Sequence, residues 1–502
     1  FYEDEDLIML RMDKEDCKYY LPHNLDLWVL EKEYPPSFVY STDKAMYLLS
    51  LINTIPANNR SKYASSEGWT PINSTTIQDV SIRNFPDYKK WFIQLGIIEC
   101  DGQYIPDEKS FSFRFTEEYR TPIVPVNYST KYTFANKTQK LLKPIDKDTQ
   151  KYPYLHKWFN KSLTIDYSAA MYYLWLRYMI DRKEDKTKAL DRYNSAVIGV
   201  DKMADSNYYF SVDTTAGRLH TNYTSMPSEI RNFTKYDGQE LVSLDFKNSQ
   251  PVMSTLLFAP QFWVKNETIY EMNKKMVDLL TNTSVLDPYF FNFYDLSSKF
   301  LPILNISTYT TSTYACPLML AEMGVPIEEV DVGTYITEVL KGELYEYIEK
   351  RVQELNGDYK ERTRKEIKTM IFTIMFSSNK KSSSEKDLFK QLFPSVYTMF
   401  AFIKRTKKEL LPIMLQTIES KLFLDRIARR IAKERPELPI FTIHDSITTT
   451  VGNESYVERI MEEETIKAIG VRPSIDISLW SQSNIKWGEL EKEAGIETKK
   501  TA

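Results

Sequence analysis

Two aspartates stand at the ends of short apolar runs. In 240-ELVSLDFKNSQPVMSTLLF-258, Leu241 to Leu244 lead into Asp245. In 441-FTIHDSITTT-450, Phe441, Thr442 and Ile443 run in and Ile447 to Thr450 run out around His444, Asp445 and Ser446. Both runs read as strands, the second as a hairpin with a carboxylate at its tip. If the strands lie side by side the carboxylates converge, and converging carboxylates repel unless a cation sits between them. Mg²⁺ takes oxygen ligands and keeps water and substrate phosphates in its shell. Two such ions ~3.5–4 Å apart stabilise the attacking and leaving oxygens of a phosphoryl transfer. The plainer alternative is that each Asp forms a turn at a strand end.

A third set lies in 361-ERTRKEIKTMIFTIMFSSN-379, where Arg364, Lys368, Phe372 and Phe376 recur every four residues. On a helix this spacing makes one slowly drifting face with two cations followed by two rings. The cations suit a triphosphate and the rings suit a base. The alternative is an ordinary amphipathic helix with Arg and Lys snorkelling at its edge.

The elements that must position these residues can be read in outline. Pro251 should end the strand that carries Asp245, with a helix following. The last third of the chain is strongly helical up to Arg435. At the other end, residues 43–57 read as a helix, Ser74 as the cap of a short one, and Phe85–Leu95 as another, stopped by Gly96. Two short strands, IIEC and SFSFRF, follow around Asp101-Gly102. Three helices and a hairpin form a winged-helix order, which serves either duplex DNA or protein docking. Residues 121–150 read as a linker, and the chain turns helical from about 153, through LTIDYSAAMYYLWLRYMI and DKTKALDRYNSAVIGVDKM. The stretch 259–325 is rich in aromatics and Pro without a clean period. The segment 377-SSNKKSSSEK-386 reads as a mobile loop or cap, and the tail 488–502 as a fraying end.

The bulk properties set limits. The 502 residues suffice for two to four domains, and 42% hydrophobic with 27% charged residues fits a soluble globular protein. No run of about 18 apolar residues exists, so no transmembrane helix and no membrane partner are expected. The chain begins without Met, which reads as a processed or trimmed start, and its acidic N-terminus lacks a signal-peptide n-region. Cys17, Cys100 and Cys316 are odd in number and scattered. That argues against a disulfide scaffold or zinc cluster and for a reducing compartment, such as the cytoplasm of a bacterial host. The net charge of −4 is uninformative, but its distribution is not: residues 1–33 hold ten acids against four Lys/Arg, and residues 359–435 hold 19 Lys/Arg against 8 acids. A nucleic-acid enzyme needs a basic channel rather than a basic average, although a solvated helical face has the same composition.

Taken together the motifs resemble the family-A polymerase superfamily, which includes bacterial and phage DNA polymerases and single-subunit RNA polymerases. The resemblance rests on 245-DFKNSQP-251, on the Arg364, Lys368, Phe372, Phe376 spacing, and on 444-HDS-446. It also rests on 214-TTAGRL-219 and on Gln416 within 415-LQTIESKLFLDRI-427. All five occur in the family's order over about 210–450. The resemblance implies an α+β right-hand polymerase with an N-terminal winged-helix-like domain (1–120), the linker (121–150) and a helical thumb-like region (151–210). The palm would comprise 211–258 and 436–490, and the fingers with associated helices 259–435. It implies two Mg²⁺ ions on Asp245 and Asp445, with Mn²⁺ as a substitute. Arg364 and Lys368 would bind the triphosphate, and Lys368 would serve as general acid toward pyrophosphate. Phe372 would stack on the nucleotide, with Phe376 and Gln250 beside it. Arg218 and Gln416 would touch the primer–template minor groove, and His444 the primer end. Nucleoside triphosphates, primer–template nucleic acid and other replication proteins are the implied partners.

The sequence departs from the family in places. Phe376 stands where most relatives end the second motif in Tyr, and Ser377 where a Gly follows. Gln250 aligns with the Glu that often gates the sugar, and Ser446 follows Asp445 as in the RNA polymerases. No acidic exonuclease set is found upstream, so no proofreading is expected. The leading expectation is a DNA polymerase of a phage, plasmid or other mobile element. The alternatives are a single-subunit RNA polymerase or primase, and a DNA-binding replication or regulatory protein with an inactive palm.

Overall fold

The apolar run before Asp245 forms the strand Gln239–Phe246, and Asp245 is its penultimate residue. The computed structural model describes residues 17–58, 68–73, 76–77, 82–105, 109–128, 149–258, 329–354, 363–405, 407–470 and 472–496. The expected Ser74 cap, Cys316 and the aromatic stretch 259–325 lie outside these residues. The described residues mix helices and strands, an α+β architecture. They fall into two units: one comprises Phe1–Ser211, His220–Leu241 and Leu479–Ala502, the other Val212–Leu219 and Val242–Ser478.

In the second unit, Ile440–Ile443 and Ser446–Thr450 form an antiparallel hairpin in the register Ile440↔Thr449 to Ile443↔Ser446. His444 and Asp445 are left as a two-residue turn. His444 adopts φ 53, the left-handed region that tight hairpin turns demand. Ser446–Thr450 neighbours the Gln239–Phe246 strand, which also pairs with Ile475–Trp480. All nine hairpin strand residues are buried, so the β-branched Ile and Thr side chains pack on both faces.

Helices pack around this sheet. The strand ends at Phe246, earlier than Pro251 suggested, because Asn248 turns the chain with φ 56 and ψ 40 into the wholly buried helix Ser249–Thr255. Pro251 sits in that helix's first turn, where its missing N–H costs little. The helix Leu410–Ser420 runs on through a π-helical segment, Lys421–Ala428, into Arg429–Glu434. There Phe423 meets Phe246 edge-on with ring centroids 4.8 Å apart.

The helix Arg364–Phe376 is started by a capping box. The Glu366 N–H donates to Thr363 Oγ1 at 3.3 Å, and the Thr363 N–H donates to Glu366 Oε2 at 2.7 Å. Its inner face is Ile367, Met370, Ile371, Ile374 and Met375, which leaves the four-residue series of cations and rings on the outer face. Two buried lysines grip the chain after it. Lys404 Nζ donates to the carbonyls of Ile374 and Ser377, and Lys386 Nζ to those of Ser378 and Lys381. The segment 377–386, expected as a loop or cap, is thus tied to the helix end.

In the first unit, Cys17–Pro22 pairs antiparallel with Ile123–Tyr128, a strand at the start of the segment expected to link domains. Helices Thr42–Asn58 and Phe85–Gln94 accompany a three-stranded sheet in which Ser112–Phe115 lies between Thr70–Pro71 and Ile98–Cys100. Tyr88, Phe92 and Phe113 are buried in its core. Residues 163–165, expected to be helical, form a strand paired with Thr234–Tyr236. The helix waits for Asp166, which caps Tyr167–Asp181 by accepting from the Ala169 N–H at 3.2 Å. Helix Lys186–Ala204 follows. No helix among the described residues is long and apolar enough to cross a membrane.

Candidate active site

Within the second unit the hairpin turn and the strand end come together. The Phe246 N–H donates to the Asp445 carbonyl at 3.2 Å, so Asp245, next to the end of its strand, adjoins Asp445 in the hairpin turn. Ser243 Oγ donates to Asp245 Oδ2 at 2.9 Å. Asp445 is held up to about 7, first by burial, then by the negative charge of Glu419 and further by that of Asp245, with Arg218 opposing.

A cleft of about 530 Å³ opens beside Asp445. Phe246 to Pro251 form one wall. The outer face of the Arg364–Phe376 helix forms another, through Arg364, Lys365, Lys368 and Phe372, and Tyr345 and Asp476 complete the lining. Phe372 is 40% exposed, a large ring presented to the cleft. Arg364 Nε pairs with Glu346 at 2.9 Å, and Lys247 Nζ with Asp476 at 3.0 Å. The Tyr345 phenol is pushed up to about 12, chiefly by burial.

The structure therefore brings Gln250, Arg364, Lys368, Phe372 and Asp445 to one cleft, with Asp245 coupled to Asp445 on the adjoining strand. Phe376 is not in the cleft lining; its ring packs on Phe372 at 5.5 Å. Gln416 lies on the Leu410–Ser420 helix and His444 in the hairpin turn, both half-buried and outside the lining. Arg218 is also outside the lining: its Nη2 donates to Glu419 Oε1 at 2.5 Å. Glu419 itself, with Tyr345 and Asp476, was not anticipated. Its signal was available as an acid on an otherwise apolar helical face, Leu411, Met414, Leu415, Ile418, where a carboxylate is buried only with partners. A second cavity, about 260 Å³, lies in the first unit beside Ile52, Phe115 and Asn194 and contains none of the predicted site residues.

Among the described residues no group of three or more His, Cys, Asp or Glu is gathered to hold a metal ion. Besides Asp476, which pairs with Lys247, the carboxylates at hand are Asp445 in the cleft lining and Asp245 on the neighbouring strand. That set fits Mg²⁺, which one or two carboxylates hold when phosphate and water complete the shell. It does not fit an ion that needs a closed protein cage.

No protein-family model and no curated protein sequence matches the chain. Among solved structures, the chain is similar to the POL domain of Pol1 from M. smegmatis, solved in complex with DNA primer-template and dNTP. The identity is 13% and the TM-score 0.24, and the match covers 59% of this chain and 53% of that one. The chain thus spans about half of the solved protein it matches, and the function must be read from its own residues.

Proposed function

We propose that the chain is a template-directed nucleotidyltransferase, in its leading form a DNA polymerase without proofreading. The observation that carries this reading is one cleft in which an acid of raised proton affinity, Asp445, faces the Arg364, Lys368, Phe372 series. Phosphoryl transfer needs cations on the triphosphate, a platform for the base and anionic oxygens for divalent ions. All three residue types line or adjoin the same space. Arg364 and Lys368 would neutralise the triphosphate, and Phe372 would stack on the base. Asp245 and Asp445 would hold Mg²⁺, which when bound stabilises charge on the reacting oxygens. Lys368 would give a proton toward the leaving pyrophosphate. Arg218, Gln416 and His444 are assigned to the primer–template by family resemblance alone. The palm, fingers, thumb-like and winged-helix labels, and replication proteins as partners, belong to this reading too.

Ser446, Phe376 and Gln250 favour an RNA polymerase or primase as the second reading. The test is extension of a labelled primer–template with Mg²⁺, with dNTPs and NTPs in separate reactions and the Asp245→Ala/Asp445→Ala variant as control. Extension with dNTPs that the variant loses supports the leading form. Extension with NTPs only, or products without primer, selects the second. Template binding without incorporation rejects both and leaves a DNA-binding protein with an inactive site.

A further inference from the structure

Glu419 is 1% exposed, and both of its oxygens are engaged. Oε1 accepts from Arg218 Nη2 at 2.5 Å, and Oε2 from Ser249 Oγ at 3.0 Å and from Gln250 Nε2. With three donors already on it, the carboxylate is poorly placed to serve as a further metal ligand, and no cluster of three or more acids or His among the described residues includes it. What it does is orient its donors. Gln250 is the donor for which orientation matters most, because its amide has two unlike ends. A carboxylate only accepts, so Gln250 must turn its NH₂ to Glu419 and its oxygen away. Gln250 is 8% exposed and lines the cleft. Its Oε1 is buried and has no hydrogen-bond partner among the described residues. A buried acceptor left without a donor is costly, and at the wall of a ligand cleft the ligand is the natural source of one.

We infer that Glu419 is a positioning residue for the nucleotide cleft: it locks the Gln250 amide so that its oxygen is kept as an acceptor for a donor group of the bound nucleotide. This rests on the nucleotidyltransferase reading above. The geometry also explains why an acid is kept so near Asp445, where its charge is unfavourable. An amide at position 419 would not hold Gln250 this way: Arg218, which only donates, would take its oxygen, and its nitrogen would face Gln250 and turn that amide over.

The test is a swap. In Glu419→Gln the new amide can present its nitrogen to Gln250, which then turns over and directs its own nitrogen to the cleft. In Glu419→Gln/Gln250→Glu the new amide donates to the new carboxylate, total charge is unchanged, and an oxygen again faces the cleft. Arg218 loses its charged partner in both variants, so a purely structural role would leave them equally impaired. Nucleotide KM and kcat are measured by primer extension, and binding is followed independently with a fluorescently labelled nucleoside triphosphate. The single variant is expected to raise nucleotide KM and the binding constant roughly 10-fold, and the swap to recover most of that. An unchanged KM in the single variant, or an equal rise in both, overturns the inference. If thermal melting shows that Glu419→Gln does not fold, Gln250→Met is read instead, since it removes the acceptor and spares the Arg218 pair. The same rise in KM is expected, and a wild-type KM overturns the inference. A wild-type protein that neither binds the labelled triphosphate nor extends a primer overturns the nucleotidyltransferase reading and this inference with it. Active wild type with unaffected variants overturns this inference alone.

Discussion

Arg218 and Glu419, 201 residues apart in sequence, meet at 2.5 Å in a pair whose carboxylate side chain is 2% exposed. Removing one partner of such a pair leaves a charge buried without compensation. Arg218→Met should therefore cost about 3–5 kcal/mol, read from urea unfolding. Burial already raises the Glu419 carboxyl, and without Arg218 the folded state takes up a proton there more readily. A carboxyl whose folded value lies above its unfolded one penalises the fold at high pH, and the penalty fades as pH falls. The deficit of Arg218→Met should accordingly be larger at alkaline than at acid pH. A deficit under about 1 kcal/mol at every pH would show that the pair is of the weak, solvent-screened kind.

The two aspartates predict opposite effects on activity and stability. Asp445→Asn keeps the shape of the turn but removes an anion that burial, Glu419 and Asp245 all disfavour. Without divalent cations, its melting temperature should equal or exceed wild type at pH 8. Primer extension should fall by about 10²–10³-fold or more, the scale of losing a preorganised electrostatic group. Asp245→Asn should lose activity similarly. A variant of Asp445 that melts lower yet extends primers normally would mean that the carboxylate serves the hairpin and not the chemistry.

Lys368 lies on the outer face of its helix and lines the cleft. Lys368→Ala should weaken nucleoside triphosphate binding by about 10- to 100-fold, the value of one charge-assisted hydrogen bond. Nucleoside binding should change little, because Phe372 supplies that contact. Equal losses for nucleoside and triphosphate would move Lys368 off the phosphate path.

Much of the site was legible because it is written in local spacing. Asp245 and Asp445 stand at the ends of short apolar runs and Arg364, Lys368 and Phe372 recur every four residues; the structure forms a strand, a tight turn and one helix face from them. Glu419 is marked locally only as an acid on an apolar helix face; its role is tertiary, because its partners Arg218, Ser249 and Gln250 are supplied by segments about 170 to 200 residues away. Tyr345 and Asp476 were missed for the same reason, each arriving from an element with no motif of its own. The strand Leu163–Ile165 is only three residues long and joins directly to the apolar helix Tyr167–Asp181, so the expected helix took it in. Only the Asp166 cap marks the start of the helix.

Lys404 offers a test of how the Arg364–Phe376 helix is held. It is 5% exposed and donates to the carbonyls of Ile374 and Ser377. Burial, with Lys386 adding repulsion, pushes it down from 10.5 to about 8. A lysine depressed in the fold binds fewer protons there than in the unfolded chain between these two values, so its contribution to stability rises with pH across that window. Below about pH 8 the ammonium carries the full burial penalty. Wild type should therefore gain on Lys404→Met as pH is raised from 8 toward 10, by no more than about 3 kcal/mol. Comparing the two by urea unfolding cancels the titration of the tyrosines they share. Because the variant also leaves two helix-end carbonyls without their donor, it should lose affinity for nucleoside triphosphates as the cation-bearing helix loosens. Parallel stability curves from pH 7 to 10 would show that Lys404 titrates normally and that the helix end is held by other contacts.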